Sequence, residues 1–256
     1  MGRKRLARVA LVTGASSGIG RATVAELRGR GFQVMAVARR HERLEALAAE
    51  TGAAFHACSL DSVEGCAAAI EATRRTFGPL QVLVNNAATG AAGDSSVLDV
   101  GPDAWRATMT LNLDAPMWLT QLAAADMVAG GWGRIVMVSS TAGQTGGAGM
   151  VAYCASKHGL LGIMRAAAVD LAAFGVTCNA VLPGWVRTEM AERSALAEAD
   201  ATGEDVQQVW QRRAASYPAG RLVTEGDVAC AIAFLASDEA GGVNGQALAV
   251  TGGGLW

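Results

Sequence analysis

Tyr153 and Lys157 begin and end the run YCASK, four positions apart. On a helix, positions i and i+4 share a face, so a phenol and an ammonium at this spacing can address one point in space. A free tyrosine titrates near pH ~10. A nearby cation stabilises the phenolate and lowers that value, which makes the side chain a usable proton donor and acceptor. YxxxK alone is common by chance, and the competing reading is a surface tyrosine beside a solvated lysine. Other residues in the chain weigh against that reading. Ser140 closes the apolar run RIVMVSS, thirteen residues before Tyr153. Asn112 falls inside a helical pattern, where asparagine is a poor former because its amide competes for backbone partners.

A second group of residues suits phosphate chemistry. Thr13-Gly14-Ala15-Ser16-Ser17-Gly18-Ile19-Gly20 follows an apolar run and opens a helical pattern. Glycines allow a sharp turn and close approach of a pyrophosphate, and the helix N-terminus supplies unpaired N–H donors and a favourable dipole. The spacing is GxxxGxG rather than the commoner GxGxxG, and a plain tight turn would use the same residues. Its strand–turn–helix setting favours a dinucleotide site. The second apolar run ends Ala38-Arg39-Arg40 with no carboxylate, so the forked cation of Arg39 favours the 2′-phosphate of NADP(H) over the bare ribose of NAD(H), which remains possible. The alternative there is a solvated arginine pair.

The elements that must position these groups alternate regularly. Strands are expected over residues 8–12, 33–38, 53–58, 80–84, 134–138, 176–181 and 247–250. Helical segments separate them, the longest over 150–174, and one after Pro102 is interrupted at Asn112 and Pro116. Strands too apolar to alternate are buried on both faces, as in a parallel sheet covered by helices. The expected fold is α/β: a Rossmann-type, doubly wound sheet of about seven parallel strands, formed by one domain over 1–256. Several candidates lie at strand C-terminal ends, where ligands bind such sheets. Residues 189–220 break the rhythm and read either as a lid over the site or as a surface helix pair.

Composition narrows the class. The chain has 256 residues, 51% hydrophobic and 17% charged, which excludes wholesale disorder. A net charge of −2 gives no sign of a nucleic-acid or anionic-membrane partner. Five cysteines without a CxxC pair argue for reduced thiols and a cytoplasmic protein, and three scattered histidines argue against a metal site. No apolar run is long enough to span a membrane, and the basic start lacks the parts of a secretion signal.

TGASSGIG, NNAA, Asn112, Ser–x12–Tyr–x3–Lys and PGxxxT, in this order, resemble the short-chain dehydrogenase/reductases over essentially the whole chain. The YCASKHG and PGWVRTEM segments are similar to those of 3-oxoacyl-[acyl-carrier-protein] and polyketide ketoreductases, and PGWV also resembles 3-hydroxybutyrate dehydrogenases. The resemblance implies a nicotinamide cofactor and a homotetramer. It implies Tyr153 as the acid/base, Ser140 as a hydrogen-bond donor to the substrate oxygen, and Lys157 as holder of the nicotinamide ribose. Asn112 would position a water linked to Lys157. Gly14, Ser16, Ser17, Gly18, Ile19 and Gly20 would line the pyrophosphate and adenosine ribose, with Asn86 beside the cofactor and Val186 and Thr188 at the nicotinamide end. Two departures stand out: Ala88 replaces the last glycine of NNAG, and Ser59, next to Leu60, stands where an acidic residue often meets the adenine amine. Gln144, Trp185, Met190, Ala91 and Ala92 are the expected substrate-side residues, mostly neutral, with Arg187 the one candidate cation. The expected reaction is reduction of a ketone on a neutral or thioester-linked chain. An NAD-linked dehydrogenase of a secondary alcohol or hydroxy acid is the second reading, and a non-catalytic cofactor sensor the third. Cys154 and His158, adjacent to Tyr153 and Lys157, should point away from the site.

Overall fold

The computed structural model describes residues 7–90 and 96–254. Ala91, Ala92 and Trp256, the last a candidate for packing at a subunit interface, lie outside them. Seven strands form one parallel sheet in the order β3-β2-β1-β4-β5-β6-β7. They are β1 Val9–Thr13, β2 Gln33–Ala38, β3 Ala54–Ala57, β4 Val82–Asn85, β5 Gly133–Val138, β6 Val176–Pro183 and β7 Ala247–Val250. Every residue of β1, β4, β5 and β6 is buried. β2 and β7 keep the expected bounds, and the other five strands shift by one or two residues at an end, because apolar runs do not mark where pairing begins.

Apolar on both faces, each strand still divides its side chains with period two. Leu11, Met35, Leu83, Ile135 and Met137 face one core, with Ile70 of α3 (Val63–Phe77), Leu119 and Met127 of α5 (Ala115–Gly130) and Leu160 and Met164 of α6 (Val151–Leu171). Val12, Val34, Val84, Val136 and Val181 face the other, with Leu27 of α1 (Gly18–Gly29), Leu44 of α2 (His41–Thr51) and Ile232 of α9 (Glu225–Leu235).

Chain direction across the sheet reverses between β1 and β4, which places the ligand crevice at their C-terminal ends. There lie the glycine-rich turn after β1, Asn86 after β4 and Ser139-Ser140 after β5. The interruption expected at Asn112 is a π-helical turn, Thr110–Asp114, between α4 (Pro102–Met109) and α5. The segment 189–220 contains two helices, α7 (Glu189–Thr202) and α8 (Val206–Ala215), which share a small core of Ala195, Ala199, Val209 and Trp210. Among the described residues, no helix is long and apolar enough to cross a membrane.

Candidate active site

The turn between β1 and α1 is built around missing side chains. A Cβ at Gly20 would lie 2.4 Å from the Gly14 carbonyl oxygen, a backbone atom that cannot rotate away. Gly14 and Gly18 have φ of +65° and +56°, the left-handed region that favours glycine. Asn86 fastens this turn to β4: its Nδ2 donates to Thr13 O at 2.8 Å, and its backbone N–H donates to Thr13 Oγ1 at 2.9 Å. The first turn of α1 carries no acidic residue, so its N–H groups face no built-in competitor for an anion.

Tyr153 and Lys157 occupy the first two turns of α6, as the spacing requires. The Lys157 ammonium lies 5.6 Å from the Tyr153 ring centre and donates to Val138 O, at the end of β5, at 2.8 Å. Burial pushes Lys157 down to about 8, because a desolvated ammonium is disfavoured. An ammonium has three donors, so the bond to Val138 leaves capacity for a ligand hydroxyl. Ser139 and Ser140 divide their work. Ser139 Oγ donates to the Lys157 carbonyl at 3.1 Å and fixes α6 against the sheet. Ser140 Oγ accepts from Ala142 N–H at 3.1 Å, a contact that leaves the hydroxyl proton available to donate.

Asn112 is fully buried, and its amide clamps two elements. Its Oδ1 accepts from Thr89 N–H and its Nδ2 donates to Thr89 O, both at 2.8 Å, while Nδ2 also reaches Ser156 Oγ at 3.1 Å. Ser156 in turn donates to the Tyr153 carbonyl at 2.8 Å. Next to Thr89, Gly90 packs against the phenol: a Cβ there would sit 2.4 Å from Tyr153 Cδ2. Asn112 therefore holds the loop that walls one side of the Tyr153 ring.

One cavity of about 620 Å³, a volume in the range of small-molecule sites, joins the glycine-rich turn, Asn86, Tyr153 and Lys157, while Asn112 stands behind its wall. Gly14, Ser16, Ser17, Gly18, Ile19 and Gly20 line it, as do Arg39, Ser59, Leu60, Asn86, Tyr153, Lys157 and Thr188. The glycine cradle, the helix N-terminus and the buried ammonium fit an elongated anionic dinucleotide. Ser140, Gln144, Trp185 and Val186 are not among the lining residues. Val186 is 5% exposed and packs in the core, and its backbone pairs with Val223 in an isolated parallel bridge. Gln144 is exposed after the short turn Thr141–Gly143. Trp185 stacks on the buried Arg213 guanidinium at 3.7 Å, and its backbone N–H donates to the Tyr217 hydroxyl at 2.7 Å. Thr188 caps α7, accepting from Ala191 N–H at 3.3 Å, and its methyl is the group a side chain at Gly18 would meet.

Sequence reasoning missed several groups. Arg40, not only Arg39, faces the turn: it donates to Ser16 Oγ and Ser17 Oγ. Glu189 and Arg193 of α7 line the cavity beside the expected Met190, and Asp61 lines it beside Ser59 and Leu60. The expected cation Arg187 pairs instead with Glu192 at 3.3 Å. His158 is exposed and bonded to Cys154 O, away from the site as expected. Cys154 is half-buried. All five cysteines are free, and burial raises Cys66 and Cys178 to about 12, which keeps them as thiols.

The chain matches the family model for short chain dehydrogenase over residues 8–199. It is 37% identical to the acetoacetyl-CoA reductase of Shinella zoogloeoides, covering 97% of this chain and 98% of that one. A variant of actinorhodin polyketide ketoreductase, solved with NADPH, superposes with a TM-score of 0.92 at 35% identity, covering 96% of each chain. NAD⁺-bound xylitol dehydrogenase superposes with a TM-score of 0.91 at 29% identity, covering 98% of this chain and 100% of that one. On sequence, fold and site alike, the chain belongs to the short chain dehydrogenase family and is an oxidoreductase acting on carbonyl and hydroxyl groups.

Proposed function

We propose that the protein is an NADP(H)-dependent ketoreductase that interconverts a ketone and a secondary alcohol on a β-ketoacyl or similar thioester-linked chain. The observation that carries this reading is the Tyr153–Lys157 pair, a phenol beside a buried ammonium, opening on the same cavity as the glycine cradle. The relatives that reduce acetoacetyl-CoA and polyketide ketones support the substrate class. Arg39 and Arg40 at the end of β2 support NADP(H).

In this reading Gly14, Ser16, Ser17, Gly18, Ile19 and Gly20 hold the pyrophosphate and adenosine ribose, with Arg39, Ser59, Leu60 and Asn86 along the same wall. Lys157 holds the nicotinamide ribose, and Thr188 meets the nicotinamide end. The bound nicotinamide supplies hydride for carbonyl reduction. Tyr153 passes its phenolic proton to the carbonyl oxygen as negative charge develops there, and Ser140 donates a hydrogen bond to the same oxygen. Proton donation from a positioned group is worth about 10²–10⁴-fold. A fixed donor such as Ser140 adds about 3 kcal/mol, by analogy with oxyanion holes. The Lys157 cation favours the phenolate left on Tyr153 and so eases its loss of a proton.

One domain over 1–256 carries the cofactor and the chemistry, with 189–220 as its lid. The α7 side chains on the cavity support the lid. Exposed Val169 and Phe174, at the C-terminal end of α6 and just beyond it, support a homotetramer, and five free thiols support a cytoplasmic location. The NAD-linked neighbour keeps an NAD-dependent alcohol dehydrogenase as the second reading. A panel of β-ketoacyl thioesters, ketones and secondary alcohols, run with wild type and Tyr153→Phe, tests the proposal. Turnover of a ketone with NADPH, lost by about 10²-fold or more in the variant, is expected. Comparable turnover in Tyr153→Phe refutes the proton donor.

A further inference from the structure

The Arg40 guanidinium divides its donors between two elements. Its Nε and Nη2 donate to Ser16 Oγ at 3.0 and 2.9 Å, and Nη2 reaches Ser17 Oγ at 2.7 Å. Its Nη1 donates to Glu189 Oε2 at 2.8 Å. The other Glu189 oxygen accepts from Arg43 of α2. Glu189 is the first residue of α7, so its carboxylate ties the start of that helix both to α2 and, through Arg40, to the glycine-rich turn. Ser16, Arg39, Arg40 and Glu189 line one cavity. Two guanidinium groups converging on one carboxylate make a site equally suited to a phosphate. The bonds from Arg40 and then Arg43 hold the Glu189 carboxyl below its ordinary range, so it is an anion at neutral pH.

We propose that Glu189 is a specificity-determining residue, an internal anion that competes with the ribose 2′-phosphate of NADP(H) for Arg40 and couples that exchange to release of α7. The inference rests on the NADP(H) reading above. A 2′-hydroxyl brings no charge and leaves both Glu189 pairs in place. A 2′-phosphate carries close to two negative charges and must either displace the carboxylate from Arg40 or bind against its repulsion. In both cases Glu189 costs affinity for the phosphorylated cofactor alone. Once displaced from Arg40, α7 loses one of the ties that hold it to the rest of the cavity wall.

Equilibrium binding of NADPH and NADH to wild type and Glu189→Gln, followed by nicotinamide fluorescence at low salt, reads this competition. Because exposed ion pairs are individually weak, the expected gain in Glu189→Gln is about three- to tenfold for NADPH, with NADH unchanged within about twofold. Adenosine 2′,5′-bisphosphate should follow NADPH and 5′-AMP should follow NADH, which removes the nicotinamide and turnover from the readout. Glu189→Asp, with a shorter reach to both arginines, should give a smaller gain in the same direction. Hydrogen exchange over residues 189–202 of wild type should rise with adenosine 2′,5′-bisphosphate and not with 5′-AMP; unchanged exchange overturns the coupling to α7. Preference for NADPH in wild type with no gain in either variant overturns the role of Glu189 and leaves the cofactor reading standing. Equal wild-type affinities for NADPH and NADH overturn the cofactor reading, and this inference with it.

Discussion

Replacing Gly90 with alanine should disable Tyr153 without removing a single functional atom. The added Cβ would lie 2.4 Å from Tyr153 Cδ2, whereas ordinary contact begins at 3.4 Å, so about 1 Å must be recovered. The backbone resists giving it. Thr89 is held at both its N–H and its carbonyl by Asn112 at 2.8 Å, and the Tyr153 carbonyl accepts from Ser156 at 2.8 Å. With both backbones held, the overlap falls on the phenol ring. A displacement of about 1 Å in a reacting group costs on the order of 10²-fold in rate, or about 2.7 kcal/mol of barrier. Gly90 also has φ of +135°, a region that strains any other residue by about 1–3 kcal/mol. That strain lowers the unfolding temperature by about 2–10 °C in a chain of this size. Gly90 itself does not line the cavity, so NADPH affinity should hold within about threefold while kcat falls by about 10²-fold. Steady-state kinetics, thermal unfolding and fluorescence titration of the same preparation separate these effects. A Gly90→Ala enzyme with kcat within about threefold of wild type would refute the claim that this glycine sets the ring position.

Three further outcomes follow from the same geometry. Lys157 is lowered from 10.5 to about 8, so between these values the unfolded chain binds more protons than the folded one and stability rises with pH. The rise is at most about 3 kcal/mol, and urea unfolding across this window should show it in wild type and not in Lys157→Met. Gly20→Ala drives a Cβ to 2.4 Å from the Gly14 carbonyl, and calorimetric titration should find dinucleotide binding weakened by about 10²-fold or more; unchanged binding would mean that the cradle gives way freely. Arg39→Asp places a carboxylate where a 2′-phosphate is expected and should weaken NADPH by about tenfold more than NADH. Equal losses for the two cofactors would remove Arg39 from the phosphate site.

Much of the molecule is legible along the chain because its determinants are local. Apolar runs separated by helical patterns specify alternating strands and helices, and burial of β1, β4, β5 and β6 on both faces follows from their lack of polar alternation. The glycines after β1 and the four-residue spacing of Tyr153 and Lys157 need only a turn and one helical repeat to acquire meaning. Tertiary structure alone decides what those residues meet. Arg40 and Arg43 reach Glu189 across 149 and 146 positions, and no periodicity links two residues so far apart. Nothing along the chain marks Gly90 until the fold lays the Tyr153 ring against it, and nothing there shows that the Val186 backbone pairs with Val223, 37 positions on. Residue type and spacing determine which chemistry the chain can perform, because they act within a few bonds. The folded sheet determines which groups are desolvated, clamped or paired, because those properties depend on neighbours that only packing brings near.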